Sequence, residues 1–299
     1  MMTCRTALWA LCSLLFVLAL PCAVGADALS WSAPADPKTC PVGDTSVWAE
    51  YEGGADCIRY FWAGDLDDAP VALVRLYGDR TRHLRSEPEE IPGNTVRDQH
   101  DHAARWAVEL GMPVVVIARP GTYGSSGDHR RRRSIEEFRA IDAALDRIVE
   151  RHRIGSVILS GHSGGATAAA ALLTFGRKDV ACAILTSGAF DLLERARLLR
   201  EHSGRVPRPG VDLTGVVGPY DPLDHIAGIV PNPDRLILVI GNSRDSVTPF
   251  ALQREFANAL AAAGHNVRLM EHSAIGPRYH DLRGSIGYTA TRDCLATGN

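Results

Sequence analysis

The chain has 299 residues, of which 45% are hydrophobic and 22% are charged, as is ordinary for a globular protein with a sizeable core. Its formal net charge of -3 gives no electrostatic case for nucleic acid or an anionic membrane surface, and we expect neither as a partner. The one basic run, the four arginines at residues 130–133, is typical of a solvated face.

The N-terminal segment, residues 1–26, is predicted to be a secretory signal peptide. A positively charged start precedes the apolar residues 7–20, a stretch shorter than the roughly 20 residues that span a bilayer. Small residues then favour cleavage after Ala26 or Ala28. Cys22 suggests a lipid anchor as the alternative, but the proline before it fits that signal poorly. We therefore expect a secreted or periplasmic protein with no stable membrane insertion after cleavage.

Four of the seven cysteines follow the predicted signal peptide, and an oxidising compartment permits disulfides. Cys40 and Cys57 flank a short predicted strand and turn and are the best candidate pair. A closed loop of that size would stabilise by roughly 3 kcal/mol in the chain-entropy model. Cys182 stands in an apolar run and is interpreted as a small buried core residue, whereas the state of Cys294 is left open.

Patterns typical of strands and helices alternate along the remaining chain. Residues 46–51 and 57–62, separated by two glycines, predict an antiparallel hairpin. Further strands are predicted at residues 71–77, 113–118, 156–160, 180–186, 236–240 and 266–270, and helices at 95–110, 134–152, 164–175 and 249–263. This alternation favours an α/β fold with a mostly parallel sheet, helices on both faces and the hairpin as an antiparallel edge.

Residues 191–234 depart from this alternation, because they begin helical and then become rich in proline and glycine. They lie between two predicted sheet strands, where an inserted lid over a site would fit. The alternative is a long irregular connection. Otherwise we expect residues 27–299 to form a single domain.

The segment Gly161-His162-Ser163-Gly164-Gly165 is the one G-x-S-x-G motif of the chain. It follows an apolar strand directly and precedes an alanine-rich helix directly. In that setting a sharp turn presents the serine, and the helix N-terminus points free N–H groups at a developing oxyanion. The motif therefore predicts a nucleophilic Ser163, and the alternative is a Gly-Ser turn without chemistry.

A serine nucleophile needs a general base and an acid that orients the base. Asp245 lies in the loop after the next-to-last predicted strand, and His280 lies in the loop after the last one. His272, directly after that last strand, is the rival base. Asp191 and Asp221 are rival acids, and the alternative role for Asp245 is a helix N-cap.

The order Ser163, Asp245, His280 resembles the α/β-hydrolase superfamily, nearest to its prolyl oligopeptidase and dienelactone hydrolase branches, from about Ser46 onward. The resemblance implies an α/β-hydrolase fold with a small lid insertion. It also implies a secreted serine hydrolase that cleaves a carboxylic ester or related acyl bond through an acyl-enzyme. A prolyl oligopeptidase-like peptidase that takes a short peptide, and a catalytically inactive binding protein with this fold, are the alternatives.

The same resemblance implies an oxyanion hole made of the N–H groups of Gly164 and, by position, Asp79 in the loop after the third predicted strand. An acidic side chain there is unusual and would have to point away. Residues 119–127 resemble the family's Arg-Gly-x-Gly-x-Ser loop, which makes Tyr123 a candidate substrate-binding residue. The alternative for Tyr123 is a structural turn.

Metal and cofactor chemistry find little support in the sequence. His100 and His102 are two residues apart in a predicted helix, so their side chains do not share a helix face. The cysteine spacings do not resemble a zinc site, and no phosphate-binding glycine motif follows a strand. We expect neither a metal nor a cofactor.

Overall fold

A computed structural model describes residues 28–43 and 45–296 of the chain. The predicted signal peptide, residues 1–26, lies outside the described residues. Across the part that is described, none of the helices combines the length and the apolar character needed to cross a membrane.

The central element of the described chain is an eight-stranded sheet. Its strands are β1 (Ser46–Tyr51), β2 (Gly54–Ala63), β3 (Val71–Leu76), β4 (Val114–Ile117), β5 (Ser156–His162), β6 (Val180–Thr186), β7 (Leu236–Gly241) and β8 (Asn266–Glu271). Their order is β1-β2-β4-β3-β5-β6-β7-β8. The β1–β2 and β2–β4 pairs are antiparallel and the other pairs are parallel, so the predicted sheet and its edge hairpin are confirmed.

Helices cover both faces of this sheet, as predicted. They are α1 (Val96–Leu110), α2 (Ile135–His152), α3 (Gly164–Thr174), α4 (Leu192–His202), α5 (Phe250–Ala262), α6 (Ile286–Thr289) and α7 (Thr291–Ala296). On one face Phe138 of α2 and Phe256 of α5 belong to the larger apolar core. On the other face Ala107 of α1, Tyr288 of α6 and Cys294 of α7 belong to a second core. Fully burying a side chain such as Phe138 contributes roughly 1.5–3 kcal/mol.

Two disulfides tie the chain together. Cys40 and Cys57 are bonded with their Cα atoms 5.6 Å apart, which links the segment before β1 to β2. Cys182 and Cys294 are bonded with their Cα atoms 5.7 Å apart, which links β6 to α7. Cys182 is buried, as predicted, but its bond to Cys294 was not foreseen, because a sequence separation of 112 leaves no local spacing that would mark the pair.

The carboxyl ends of the parallel strands meet at one edge of the sheet, where the loops that follow them converge. The loop after β8 is partly regular. It contains a two-stranded hairpin, β9 (Ala274–Ile275) and β10 (Asp281–Leu282), in which Asp281 pairs with Ile275. This hairpin places His280 immediately before β10 and holds the last strand's loop over the sheet edge.

Candidate active site

Ser163 occupies the sharp turn between β5 and α3. Its backbone has φ 54° and ψ -123°, a conformation that a residue with a side chain rarely adopts and that costs about 1–3 kcal/mol. The N–H of Ser163 donates to the carbonyl of Thr186 at 2.9 Å, which holds the turn against the end of β6. This strained strand-to-helix turn is the local structure that the G-x-S-x-G motif predicts.

Two glycines allow the end of β3 and its loop to pack closely against this turn. A Cβ atom at Gly165 would lie 2.2 Å from the carbonyl oxygen of Leu76, so only glycine lets the start of α3 pack on the end of β3. A Cβ atom at Gly78 would lie 3.2 Å from the Cβ of Ser163. The loop after β3 is therefore in direct contact with the turn that carries Ser163.

Asp245 and His280 form a buried pair. His280 Nδ1 lies 2.8 Å from Asp245 Oδ2. The other carboxylate oxygen, Oδ1, accepts the N–H groups of Val247 at 2.8 Å and Thr248 at 2.9 Å, and the Thr248 hydroxyl donates to Oδ2 at 2.8 Å. Asp245 thus closes its own turn before α5 and still presents one oxygen to the imidazole, which is the geometry that orients a catalytic histidine.

His280 is held beside the turn that carries Ser163. Its ring centroid lies 4.9 Å from that of His162, and its carbonyl accepts a 2.8 Å hydrogen bond from the hydroxyl of Ser187. Ser187 follows Thr186, the residue that accepts the N–H of Ser163. Within the described chain no hydrogen bond joins Ser163 Oγ to His280 Nε2; in unliganded enzymes this contact is often long and tightens with substrate.

The rival residues lie in other settings. His272 is half-buried, and its Nε2 lies 3.1 Å from the carbonyl of Arg283. Asp191 caps α4 by accepting the N–H of Glu194 at 3.2 Å, and Asp221 accepts the N–H of Leu192. The structure therefore brings Asp245 together with His280 and leaves these three rivals apart from the pair.

The two predicted oxyanion-hole amides are unoccupied donors. Gly164 is the first residue of α3, where a helix leaves its N–H without an internal partner. Neither its amide nor that of Asp79 donates to any other described residue. A Cβ atom at Gly164 would lie 2.0 Å from Asp79 Oδ1, so the two residues are in contact.

The carboxylate of Asp79 is turned into a group of three arginines. Arg119 Nη1 lies 3.0 Å from Oδ1, while Arg133 Nη2 at 2.6 Å and Arg132 Nε at 3.2 Å face Oδ2. Burial would raise the pKa of Asp79, but the guanidinium charges of Arg133, Arg119 and Arg132 outweigh it and hold this pKa well below its usual range. Asp79 is therefore a largely buried anion that fixes the loop after β3.

This network corrects half of the prediction of a solvated face at residues 130–133, since Arg130 and Arg131 are exposed but the next two arginines are buried. Arg132 and Arg133 are only 7% and 2% exposed, and Arg133 also reaches Asp212 Oδ2 at 3.4 Å. Their burial is explained by the carboxylates that meet them, which come from distant parts of the chain. Arg119 is likewise shared between Asp79 and the buried Glu137, 2.7 Å away.

Tyr123 lies in an aromatic cluster beside the loop after β3. Its ring centroid is 5.2 Å from that of Trp31 and 5.8 Å from that of Tyr77, and the guanidinium of Arg80 lies 5.6 Å above it. The side chain is buried. Tyr123 contacts Tyr77 and Arg80, which lie on either side of Asp79, and so supports this loop.

Sequence reasoning missed Arg195, which α4 carries into the same region. The side chain is 6% exposed, and Nε donates to the carbonyl of Val247 at 2.9 Å. No carboxylate of the described residues lies within ion-pair distance of it. Burial, together with the charge of Arg133, lowers the pKa of Arg195 to about 9.

Comparison with known proteins identifies the fold. No protein-family model matches the sequence, and no curated protein matches it. Solved structures do match: an esterase of Pyrococcus furiosus has a TM-score of 0.56 and 13% identity, with 92% of this chain and 97% of that chain covered. Est1E of Butyrivibrio proteoclasticus, solved with ferulic acid bound, has a TM-score of 0.54 and 13% identity, with 84% and 98% covered.

This chain has the α/β-hydrolase fold. A third match, the acylaminoacyl peptidase of Pyrococcus horikoshii, has a TM-score of 0.51 and 15% identity, with 85% of this chain but only 40% of that chain covered. The superfamily resemblance seen in the sequence is thereby confirmed for the fold. The reaction has to be argued from the site, since one fold hosts many activities.

Proposed function

We propose that this α/β-hydrolase-fold protein is a secreted serine hydrolase that cleaves a carboxylic ester through an acyl-enzyme. The observation that carries the proposal is the buried Asp245–His280 pair, 2.8 Å apart, beside a serine in a strained strand-to-helix turn. A turn that served only to connect β5 to α3 would not need the strained backbone of Ser163. A carboxylate that served only to cap a helix would not need a histidine beside it. Their combination favours an active enzyme over an inactive binding protein.

In the proposed reaction, Ser163 Oγ attacks the ester carbonyl while His280 Nε2 takes its proton. Asp245 accepts the Nδ1–H of His280, which fixes the tautomer and stabilises the imidazolium. The amides of Gly164 and Asp79 donate to the oxyanion. Collapse of the tetrahedral intermediate breaks the ester bond, and His280 gives its proton to the departing alcohol. A water molecule, deprotonated by His280, then attacks the acyl-enzyme; the bond to Ser163 Oγ breaks, the acid leaves, and His280 returns the proton to Ser163 Oγ.

Residues 191–234 are proposed as a lid over this site. Arg195 of α4 donates to the carbonyl of Val247, two residues after Asp245. Farther along the segment, Asp212 meets Arg133 of the cluster around Asp79. The segment thus contacts the proposed active site at two separate places. This supports a lid over the site more than a long irregular connection.

Export is part of the proposal. The two disulfides support an oxidising compartment, either a periplasm or the outside of the cell. The proposed chemistry needs only side chains and backbone N–H groups of this chain, together with water.

Turnover of matched substrates tests the proposal. The protein, purified after export, is expected to hydrolyse 4-nitrophenyl butyrate and octanoate, and to leave acylated peptide 4-nitroanilides almost uncleaved. Treatment with an excess of fluorophosphonate should abolish the ester activity. Preferred cleavage of an anilide would favour a peptidase, and failure to hydrolyse any ester or anilide would contradict the proposal of an enzyme.

A further inference from the structure

A strongly basic cleft opens beside the cluster around Asp79. Its volume is about 490 Å³. The polar side chains that line it are Thr81, Arg82, Arg85, Arg130, Arg132 and Thr214. None of the described residues that line it is acidic.

Arg132 connects the cleft to the proposed active site. Its side chain is more than nine-tenths buried, and its Nε lies 3.2 Å from the carboxylate of Asp79, which in turn contacts Gly164. Nη1 donates to the carbonyl of His129 at 3.0 Å, whereas Nη2 has no hydrogen-bond partner among the described residues. The inner end of the cleft is thus a buried guanidinium with a spare donor. It contacts the side chain of Asp79, which carries one proposed oxyanion-hole amide and touches Gly164, which carries the other.

The positive charge of the cleft lacks a matching negative charge from the protein. Arg82 and Arg85 are exposed, and no carboxylate in the described ranges lies within ion-pair distance of either. Arg130 meets only the partly exposed Asp128, at 3.5 Å. Two carboxylates beside the cleft are already engaged: Asp79 is shared among three arginines, and Asp212 accepts from the hydroxyl of Thr214 and meets Arg133. The cleft is therefore complementary to an anion that a ligand would supply.

We propose that this cleft binds a carboxylate at the far end of the substrate's acyl chain. The inference rests on the proposed function, in which His280 protonates the leaving group. The cleft adjoins Asp79, on the oxyanion side of the proposed site, and none of the residues that line it is a hydrogen-bond or ring partner of His280. It is therefore placed to receive the acyl part and not the alcohol. A carboxylate matches the planar fork of an arginine in two parallel hydrogen bonds.

Two esters that differ only in terminal charge test this assignment. The pair is 4-nitrophenyl octanoate and the 4-nitrophenyl monoester of octanedioic acid. The corresponding monoesters of the six- and ten-carbon diacids show which chain length brings the terminal carboxylate into the cleft. We expect kcat/KM to be about tenfold or more higher for the anionic ester at low ionic strength. Raising the salt concentration should reduce this ratio, because screening shortens the range of exposed charges.

Substitutions of the cleft arginines test whether the cleft causes the preference for the anionic ester. The double substitution Arg82→Gln with Arg85→Gln should lower the anionic-to-neutral kcat/KM ratio by about tenfold, since both guanidinium groups face the cleft and neither supports the fold through an ion pair. Arg254→Gln, exposed on α5 outside the cleft, is the matched control and should leave the ratio unchanged. An unchanged ratio in the double variant would overturn the assignment.

Failure of this inference is distinguishable from failure of the proposed function. Hydrolysis of both esters at equal kcat/KM would contradict carboxylate binding in the cleft but not the proposed hydrolase activity. If neither ester reacts, the cleft is still tested by calorimetric titration of Ser163→Ala with octanedioate. If Ser163→Ala binds octanedioate and the variant that also carries Arg82→Gln and Arg85→Gln does not, the cleft is the binding site. If Ser163→Ala does not bind octanedioate, the assignment is wrong.

Discussion

Replacing Ser163 with alanine is expected to lower kcat for 4-nitrophenyl octanoate by about 10⁴–10⁶-fold, the range that loss of a catalytic serine costs in hydrolases. The oxygen that would form the acyl-enzyme is removed, and the proposed oxyanion amides alone supply only the residual rate. The fold should be retained, because the Ser163 hydroxyl makes no hydrogen bond to another described residue. Steady-state kinetics and thermal unfolding measure the two effects separately.

Ser246→Ala is the matched control for this change. Ser246 is exposed and lies next to Asp245, with its hydroxyl 3.3 Å from the carbonyl of Arg278. It has no part in the proposed chemistry, so its ester turnover should equal that of the unaltered protein. If Ser163→Ala retained turnover comparable to this control, the nucleophile assignment would be wrong.

Replacing Asp79 with asparagine is expected to lower the free energy of unfolding by about 3–5 kcal/mol, as when one partner of a buried ion pair is removed. Asparagine keeps the shape but not the charge, so Arg132 loses its one carboxylate. Arg119 and Arg133 would each keep only one, Glu137 and Asp212 respectively. Denaturant unfolding at neutral pH measures the loss.

Asp68→Asn is the control for this prediction. Asp68 meets Arg153 in an ion pair whose two side chains are largely exposed, so its removal should change stability far less. A similar decrease in the free energy of unfolding in both variants would contradict the claim that the buried cluster around Asp79 stabilises the fold more than an exposed ion pair does.

The depressed pKa of Asp79 also sets a pH dependence. A carboxylate whose pKa is lower in the folded than in the unfolded state stabilises the fold above the unfolded value, near 4, and this contribution disappears as the pH falls through the folded value. The unaltered protein should therefore lose stability on acidification below about pH 4. Asp79→Asn should lack that part of the acid dependence.

Local patterns in the sequence predicted the elements that carry the site. The alternation in β1 marks a strand by its periodicity, whereas the apolar run of β5 marks one by its short length. The G-x-S-x-G motif between β5 and α3 marks a turn whose strain the structure shows at Ser163. The hairpin, the parallel sheet and the helices on both faces followed from such local signals.

The features that escaped prediction depend on residues far apart in the chain. Arg133 is 54 positions from Asp79, and composition alone assigns a run of arginines to solvent. The bond between Cys182 and Cys294 spans 112 positions. Arg195 is one of several arginines in α4, and nothing in that helix distinguishes the one that packs beside the loop after β7. Burial of charge is decided by which distant partners the fold supplies.

The central claim, that Ser163 is a nucleophile activated by His280, is tested most directly by mapping a covalent adduct. After reaction with a fluorophosphonate, mass spectrometry of the digested protein should show one phosphonylated residue, Ser163. His280→Gln should slow this reaction strongly, whereas His272→Gln should not. An adduct on another residue, or equal labelling rates in the unaltered protein and in His280→Gln, would contradict the account.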